Sequence, residues 1–243
     1  MAVIAIDGPS GSGKSSVSKA VARALDCRYL DTGAMYRAAA IWVQKQQLAL
    51  SDAQAVAAAV QQMPLEMGTD PANPTVTLAG QDVTQAIREE SVSAVVSAIA
   101  TNLAVRAEMK RRQQAIIADA VRTSPGIVAE GRDITTVIAP DADVRILLTA
   151  SPEARLRRRA LENVGKADAA TVEATKDQVL RRDADDATVS QFLSAAPGVI
   201  TVDSSDLDYD QTVAAVLSVI AGAAGRPTGH PDSSPQTSTQ TSP

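Results

Sequence analysis

The run Gly8-Pro9-Ser10-Gly11-Ser12-Gly13-Lys14-Ser15 sets three glycines ahead of a Lys-Ser pair and fits G-x-x-x-x-G-K-[ST]. Glycines at these positions let backbone N–H groups turn inward around phosphate oxygens, and a helix opening directly afterwards presents its positive end to the same anion. Lys14 can reach the β- and γ-phosphates of a nucleoside triphosphate, and the Ser15 hydroxyl can ligate magnesium. The expected ATP-binding set is therefore Gly8, Pro9, Ser10, Gly11, Ser12, Gly13, Lys14, Ser15 and Ser16, with Ser15 as the metal ligand. The context fits. Ala2–Ile6 is continuously apolar, as a buried strand would be, and Val17, Ala20, Val21, Ala24 and Leu25 fall at helical spacing. Switch GTPases and motor ATPases use the same loop. The N-K-x-D run that reads guanine is absent, as is a D-x-x-G after a strand.

Two further runs suit the other half of a phosphoryl transfer. Asp31-Thr32-Gly33-Ala34-Met35-Tyr36-Arg37 ends one candidate strand and opens a helix. Thr32 and the helix terminus can hold an anion, Arg37 can pair with it, and Tyr36 offers a ring edge or a hydroxyl. Glu130-Gly131-Arg132-Asp133 follows the apolar strand Gly126–Ala129. Ligands of open α/β sheets bind at the C-terminal ends of strands, where this acid, glycine and Arg-Asp pair are well placed for chemistry. Arg155, Arg157, Arg158 and Arg159 crowd one helix; at least two of them are expected on a solvated face, with Arg158 or Arg159 available to bend over phosphates.

The elements that must position these residues alternate. Strands are expected at Ala2–Ile6, Cys27–Leu30, Gly126–Ala129, Val144–Leu148 and Val199–Val202. Helices are expected after the glycine loop and over Ala34–Gln46, Asp52–Gln62, Ser91–Arg122, Pro152–Gly165, Ala169–Asp186 and Tyr209–Ala221. Met63–Thr84 differs: three prolines, two glycines and the alternating Thr75-Val76-Thr77-Leu78 read as a small β-rich insert. Strands alternating with helices imply an α/β fold, a mostly parallel sheet with helices on both faces. From Gly222 onward Gly, Pro, Ser, Thr and Gln dominate, and such a tail cannot bury enough apolar surface to fold.

Composition closes off other classes. The 243 residues are 45% hydrophobic but only 2% aromatic, so the core must be aliphatic. A formal charge of -5 argues against nucleic-acid binding, which draws on a surplus of Lys and Arg and, for single strands, on stacking aromatics. With one cysteine, Cys27, and one histidine, His230 in the tail, no disulfide framework or Cys/His zinc site can be assembled; Cys27 reads as a small buried hydrophobe. No apolar run reaches the about 20 residues of a spanning helix, and no signal segment opens the chain, so a cytoplasmic monomer without a membrane partner is expected.

The pieces IDGPSGSGKSS, LDTGAMYR, EGRD, VRILLTAS and RRDADD, in this order over about residues 2 to 220, resemble the bacterial cytidylate kinase family of P-loop nucleoside monophosphate kinases. The resemblance implies an ATP-dependent CMP and dCMP kinase working with Mg2+. The implied fold is a core of residues 1–62, 85–150 and 191–221, a small acceptor-binding insert over 63–84 and a helical lid over 151–190, with 222–243 as a disordered tail. By position it also implies that Thr32, Tyr36 and Arg37 hold the acceptor phosphate side, and that Ser97, Arg106, Arg132 and Asp133 line the cytidine pocket. Glu130 would lie near the magnesium and the reacting phosphates, and Arg182 and Asp186 on the lid. The catalytic set so implied is Lys14, Arg132, Asp133, Glu130, Arg182 and Arg158. Ser97 and Arg106 are nine residues apart, on opposite faces of a straight helix of about 3.6 residues per turn. They can meet one ligand only if the helix breaks between them, and Thr101-Asn102 are good capping residues. This chain departs from the family pattern after RRDADD, where Val189 replaces an arginine; Arg182 with Arg158 or Arg159 is expected to complete the phosphate clamp. A kinase of AMP, UMP or a shikimate-like acceptor, and a non-catalytic ATP-binding module, are the alternatives.

Overall fold

A computed structural model describes residues 2–165, 168, 171–172, 176 and 183–224. Five parallel strands form the central sheet: β1 (Ala2–Asp7), β2 (Arg28–Asp31), β6 (Gly126–Gly131), β7 (Val144–Thr149) and β8 (Ile200–Asp203), in the order β2-β6-β1-β7-β8. Side chains alternate across it. Ile4, Ile6, Val128, Ile146 and Leu148 pack on one face with α1 (Lys14–Ala24) and α7 (Tyr209–Ala224). Ala5, Ile127 and Ala129 pack on the other with α2 (Thr32–Lys45), α3 (Ala53–Gln61), α4 (Glu90–Ala100) and α5 (Leu103–Thr123). Both faces are thus covered, which is why these strands read as continuous apolar runs rather than as alternating ones.

The register decides where the chemistry sits. Asp7 of β1 lies opposite Gly131 of β6, and Asp31 of β2 opposite Glu130, so three strands end at one level. The strand expected to stop at Ala129 continues through Gly131, because Ile6 and Asp7 keep pairing with Glu130 and Gly131. Glu130 is therefore part of a rigid strand rather than of a loop.

Residues 65–82 form a separate antiparallel sheet of β3 (Leu65–Met67), β4 (Val76–Leu78) and β5 (Gln81–Asp82). Met63, Val76, Leu78 and Val83 join the same apolar cluster as α2 and α5. Arg112 of α5 donates to the carbonyls of Val60, Gln61 and Met63, tying the end of α3 and the entry to β3 onto the core.

The helical stretch 91–122 breaks near Asn102, as expected, into two helices crossing at 96°. Asn102 caps the second, its Oδ1 accepting from the amides of Ala104 and Val105 at 3.0 and 3.3 Å, while its amide donates to Ala53. The last helix runs on to Ala224 rather than ending at Ala221. α6 (Pro152–Val164) carries the arginine cluster. Of the helix expected over 169–186 only part is described, and residues 183–187 are helical. The expected tail falls outside the described residues from position 225. Among the described residues no single helix is long and apolar enough to cross a membrane.

Candidate active site

Helix α1 opens at Gly13 with no side-chain cap and no acid in its first turn. Its first N–H groups and the positive end of its dipole are left for an external anion. Gly11 cannot be replaced here: its φ is +77°, and a Cβ would lie 2.5 Å from the Arg155 carbonyl oxygen of α6, which packs directly on the loop. Lys14 Nζ lies 3.9 Å from Glu130 Oε2. Glu130 is buried at the end of β6 and accepts the Tyr29 hydroxyl at 2.8 Å, with the Ser15 side chain beside it. Burial and the neighbouring Asp31 push its pKa up, against Lys14, Ser15 and Tyr29, which favour the carboxylate. Ser10, Gly11, Gly13, Lys14, Ser15 and Ser16 line the cleft. Gly8, Pro9 and Ser12 lie behind that lining: Gly8 packs on the Leu148 carbonyl, the Pro9 carbonyl accepts the Ser12 amide, and the Ser12 carbonyl accepts from Arg158.

On the acceptor side, the N-cap of α2 is Asp31, which accepts the Ala34 amide at 2.9 Å. Thr32 donates its hydroxyl to the Glu130 carbonyl at 2.7 Å. That bond explains the glycine of Glu130-Gly131, since a Cβ at 131 would lie 2.4 Å from Thr32 Oγ1. Tyr36 and Arg37 line the cleft. Arg37 donates to the Ile87 carbonyl and to Ser93 Oγ. Beyond the helix break Arg106 turns back toward the cleft. It donates to Asp133 at 2.5 Å, to Ser190 Oγ at 3.0 Å and to the Ala100 carbonyl at 3.3 Å. Burial raises the pKa of Asp133 and Arg106 opposes it. Ser97 does not join this group. Val96 and Ala100 line the cleft from α4, while the Ser97 carbonyl accepts the Thr101 hydroxyl.

Arg132 is the centre of a polar network. It pairs with Asp183 at 2.8 Å and with Asp186 at 2.6 Å, and its Cζ lies 4.3 Å from the centroid of the Phe192 ring. Asp183 also accepts the Ser10 amide at 3.1 Å and a bond from Arg155, which in turn donates to the Ser10 carbonyl at 3.0 Å. The Ser10 amide is thus held by the segment that carries Arg132's partners, and its carbonyl by Arg155 of α6.

The arginine cluster divides differently from the expectation. Of its four members only Arg157 is exposed, and Arg155 is buried. Of the two expected over the phosphates, Arg158 donates instead to the carbonyls of Ser204 and Leu207 and to Ser204 Oγ, so it fastens the loop after β8. Arg159 is the member that lines the cleft. Val189 follows the short helix of residues 183–187 and donates its amide to the Asp186 carbonyl. Arg182 lies outside the described residues.

These groups border one continuous cleft of about 560 Å³. Basic side chains enter it from α1 (Lys14, Lys19), from α2 (Arg37), from α5 (Arg106), from the end of β6 (Arg132) and from α6 (Arg159). Such a cleft can bring two polyanions together and neutralise the oxygens of a group passing between them. Sequence reasoning missed Tyr29, Asp183, Arg155 and Phe192. A buried Tyr hydroxyl needs a partner, which is a usable signal for Tyr29; Asp183 and Arg155 stand in the RRDADD piece and the arginine run, and nothing local marks Phe192.

The sequence profile of the family described as "Cytidylate kinase" matches residues 4–222. The chain is 46% identical to the cytidylate kinase of Cutibacterium acnes over 219 residues, covering 90% of this chain and 95% of that protein. It is 45% identical to that of Nocardia farcinica over 221 residues, covering 90% and 93%. To that of Streptomyces avermitilis it is 42% identical over 219 residues, covering 90% and 92%. The glycine loop, the Glu130–Asp133 strand end and the match along nearly the whole chain agree: the chain belongs to the cytidylate kinase family.

Proposed function

We propose that this protein transfers the γ-phosphoryl group of ATP to CMP and dCMP. The observation that carries the reading is one cleft with the glycine loop at one end and Arg37, Arg106, Arg132 and Asp133 at the other. The names of the relatives support the same acceptor. Phosphoryl transfer needs in-line placement and neutralised oxygens more than covalent help. Lys14 and the loop amides hold the triphosphate; Arg37 and Arg132 hold the acceptor phosphate; Arg106 and Asp133, fixed on each other, face the base side.

A divalent ion fits the oxygen donors here. Ser15 and Glu130 lie side by side with Asp31 close by, which suits a hard cation such as Mg2+. Among the described residues no group of three or more His, Cys, Asp or Glu could hold a metal, so the ion would share its coordination with nucleotide phosphates. Bound there, magnesium would neutralise charge on the β- and γ-phosphates. In this reading residues 63–84 form a wall of the acceptor site, and the segment 151–190 serves the phosphates, with Arg159 turned toward them.

Phosphorus NMR of ATP mixed with CMP tests the transfer itself. ADP and CDP are expected to appear in equal amounts. ADP without CDP would mean that the protein only hydrolyses ATP.

A further inference from the structure

Phe192 is the one phenylalanine of the chain, and only 1% of its surface is exposed. Yet it belongs to neither apolar cluster of the core. Its neighbours Gln191, Leu193, Ser194 and Ala195 are all exposed. An isolated ring dipping inward from an exposed segment is there for what it meets, and what it meets is the guanidinium of Arg132. The two acids Asp183 and Asp186 take the N–H groups on the edge of that guanidinium, and the ring covers a face. Together they leave Arg132 one orientation. Two residues earlier, Ser190 accepts from Arg106, so the segment 190–192 touches two cleft arginines.

We propose that Phe192 is a positioning residue that holds the Arg132 guanidinium toward the acceptor. A bare carboxylate pair would let the guanidinium pivot about its bonded edge. A ring against its face removes that freedom before the acceptor arrives, so less is lost on binding. The inference rests on the reading of this site as a CMP site.

Phe192→Leu, Phe192→Met and Phe192→Tyr test it. Without the ring, KM for CMP is expected to rise about 5- to 20-fold, the range of a partly desolvated cation–π contact, while KM for ATP stays within about twofold. Phe192→Tyr keeps the ring and is expected to restore KM for CMP to near wild type. In an Arg132→Met background the Leu substitution is expected to add nothing. Leu or Met variants that melt lower but keep the wild-type KM for CMP would overturn the inference, as would equal rises in both KM values or a failure of Tyr to rescue. A wild-type protein that does not phosphorylate CMP would overturn the functional reading, and this inference with it.

Discussion

Replacing Asp183 by Asn should cost more stability than any other single change in the cleft. Its carboxylate accepts from the Ser10 amide, from Arg132 and from Arg155, with 7% of its side chain exposed. Arg132 would keep Asp186 at 2.6 Å. Arg155, with 8% of its side chain exposed, would keep only the Ser10 carbonyl. Breaking a buried pair by removing one partner costs about 3–5 kcal/mol, because the remaining charge is left uncompensated. The total stability of a domain is about 5–15 kcal/mol. For a chain of this size each kcal/mol moves Tm by about 2–4 °C, so a drop on the order of 10 °C is expected. Burial raises the pKa of this carboxyl, but Arg132, the Ser10 amide and Arg155 outweigh it and the net shift is downward. Its contribution is then full at neutral pH and fades as the pH falls through the folded-state pKa. Thermal unfolding at pH 7 is the assay, with Arg155→Met as the second arm of a double-mutant cycle. In that background Asp183→Asn should cost only about 1 kcal/mol. A loss below about 1 kcal/mol in the wild-type background, or an equal loss in both, would refute the linkage drawn between the glycine loop and Arg132.

Arg159→Ala should lower kcat by about 10³-fold with a smaller change in ATP KM, as an arginine reaching the transferring group would; Arg158→Ala should mainly destabilise the loop after β8, and steady-state kinetics that reverse this order would restore Arg158 to the clamp. Lys14→Met should abolish turnover while circular dichroism stays native, and near-normal activity in the folded variant would remove the phosphate role of the loop. Buried Asp7 accepts from the amides of Ile134 and Thr135 and from the Thr135 hydroxyl, and burial raises its pKa to about 6. A raised carboxyl stabilises below its unfolded pKa and loses that contribution as pH rises through the folded value. The stability advantage of wild type over Asp7→Asn should therefore shrink by about 2 kcal/mol between pH 4 and 7; denaturant titrations showing a constant or growing difference would contradict it.

How far the sequence carried depended on range. The glycine loop, the alternation of strands and helices, and the break at Asn102 are local facts, written in spacing and capping chemistry, and the structure has all three. The end of β6 was misjudged because Glu130 is polar, and only pairing with β1 shows that a polar residue continues a buried strand. The arginines of α6 are close neighbours in sequence, and nothing local says which meets Asp183, which meets the loop at Ser204 and which faces the cleft. The bond from Ser10 to Asp183 spans 173 positions, and that from Arg158 to Ser204 spans 46. Ser97 is placed at the cytidine only by the family resemblance, its nine-residue spacing from Arg106 requiring a break. The break was right, but the turn of α4 presents Val96 and Ala100 to the cleft instead.

The measurement closest to the centre is kcat/KM for ATP-dependent phosphorylation of CMP, dCMP, UMP, AMP, GMP and shikimate by the wild-type protein. A site whose partly buried Arg106 and buried Asp133 pair with the cytosine edge leaves hydrogen-bonding positions on them unmatched by other bases, a mismatch that can cost about 10⁴-fold. CMP should lead AMP and GMP by a margin of that order and UMP clearly. Comparable kcat/KM for AMP, or a higher value for shikimate, would contradict the assignment of this cleft to cytidine monophosphate.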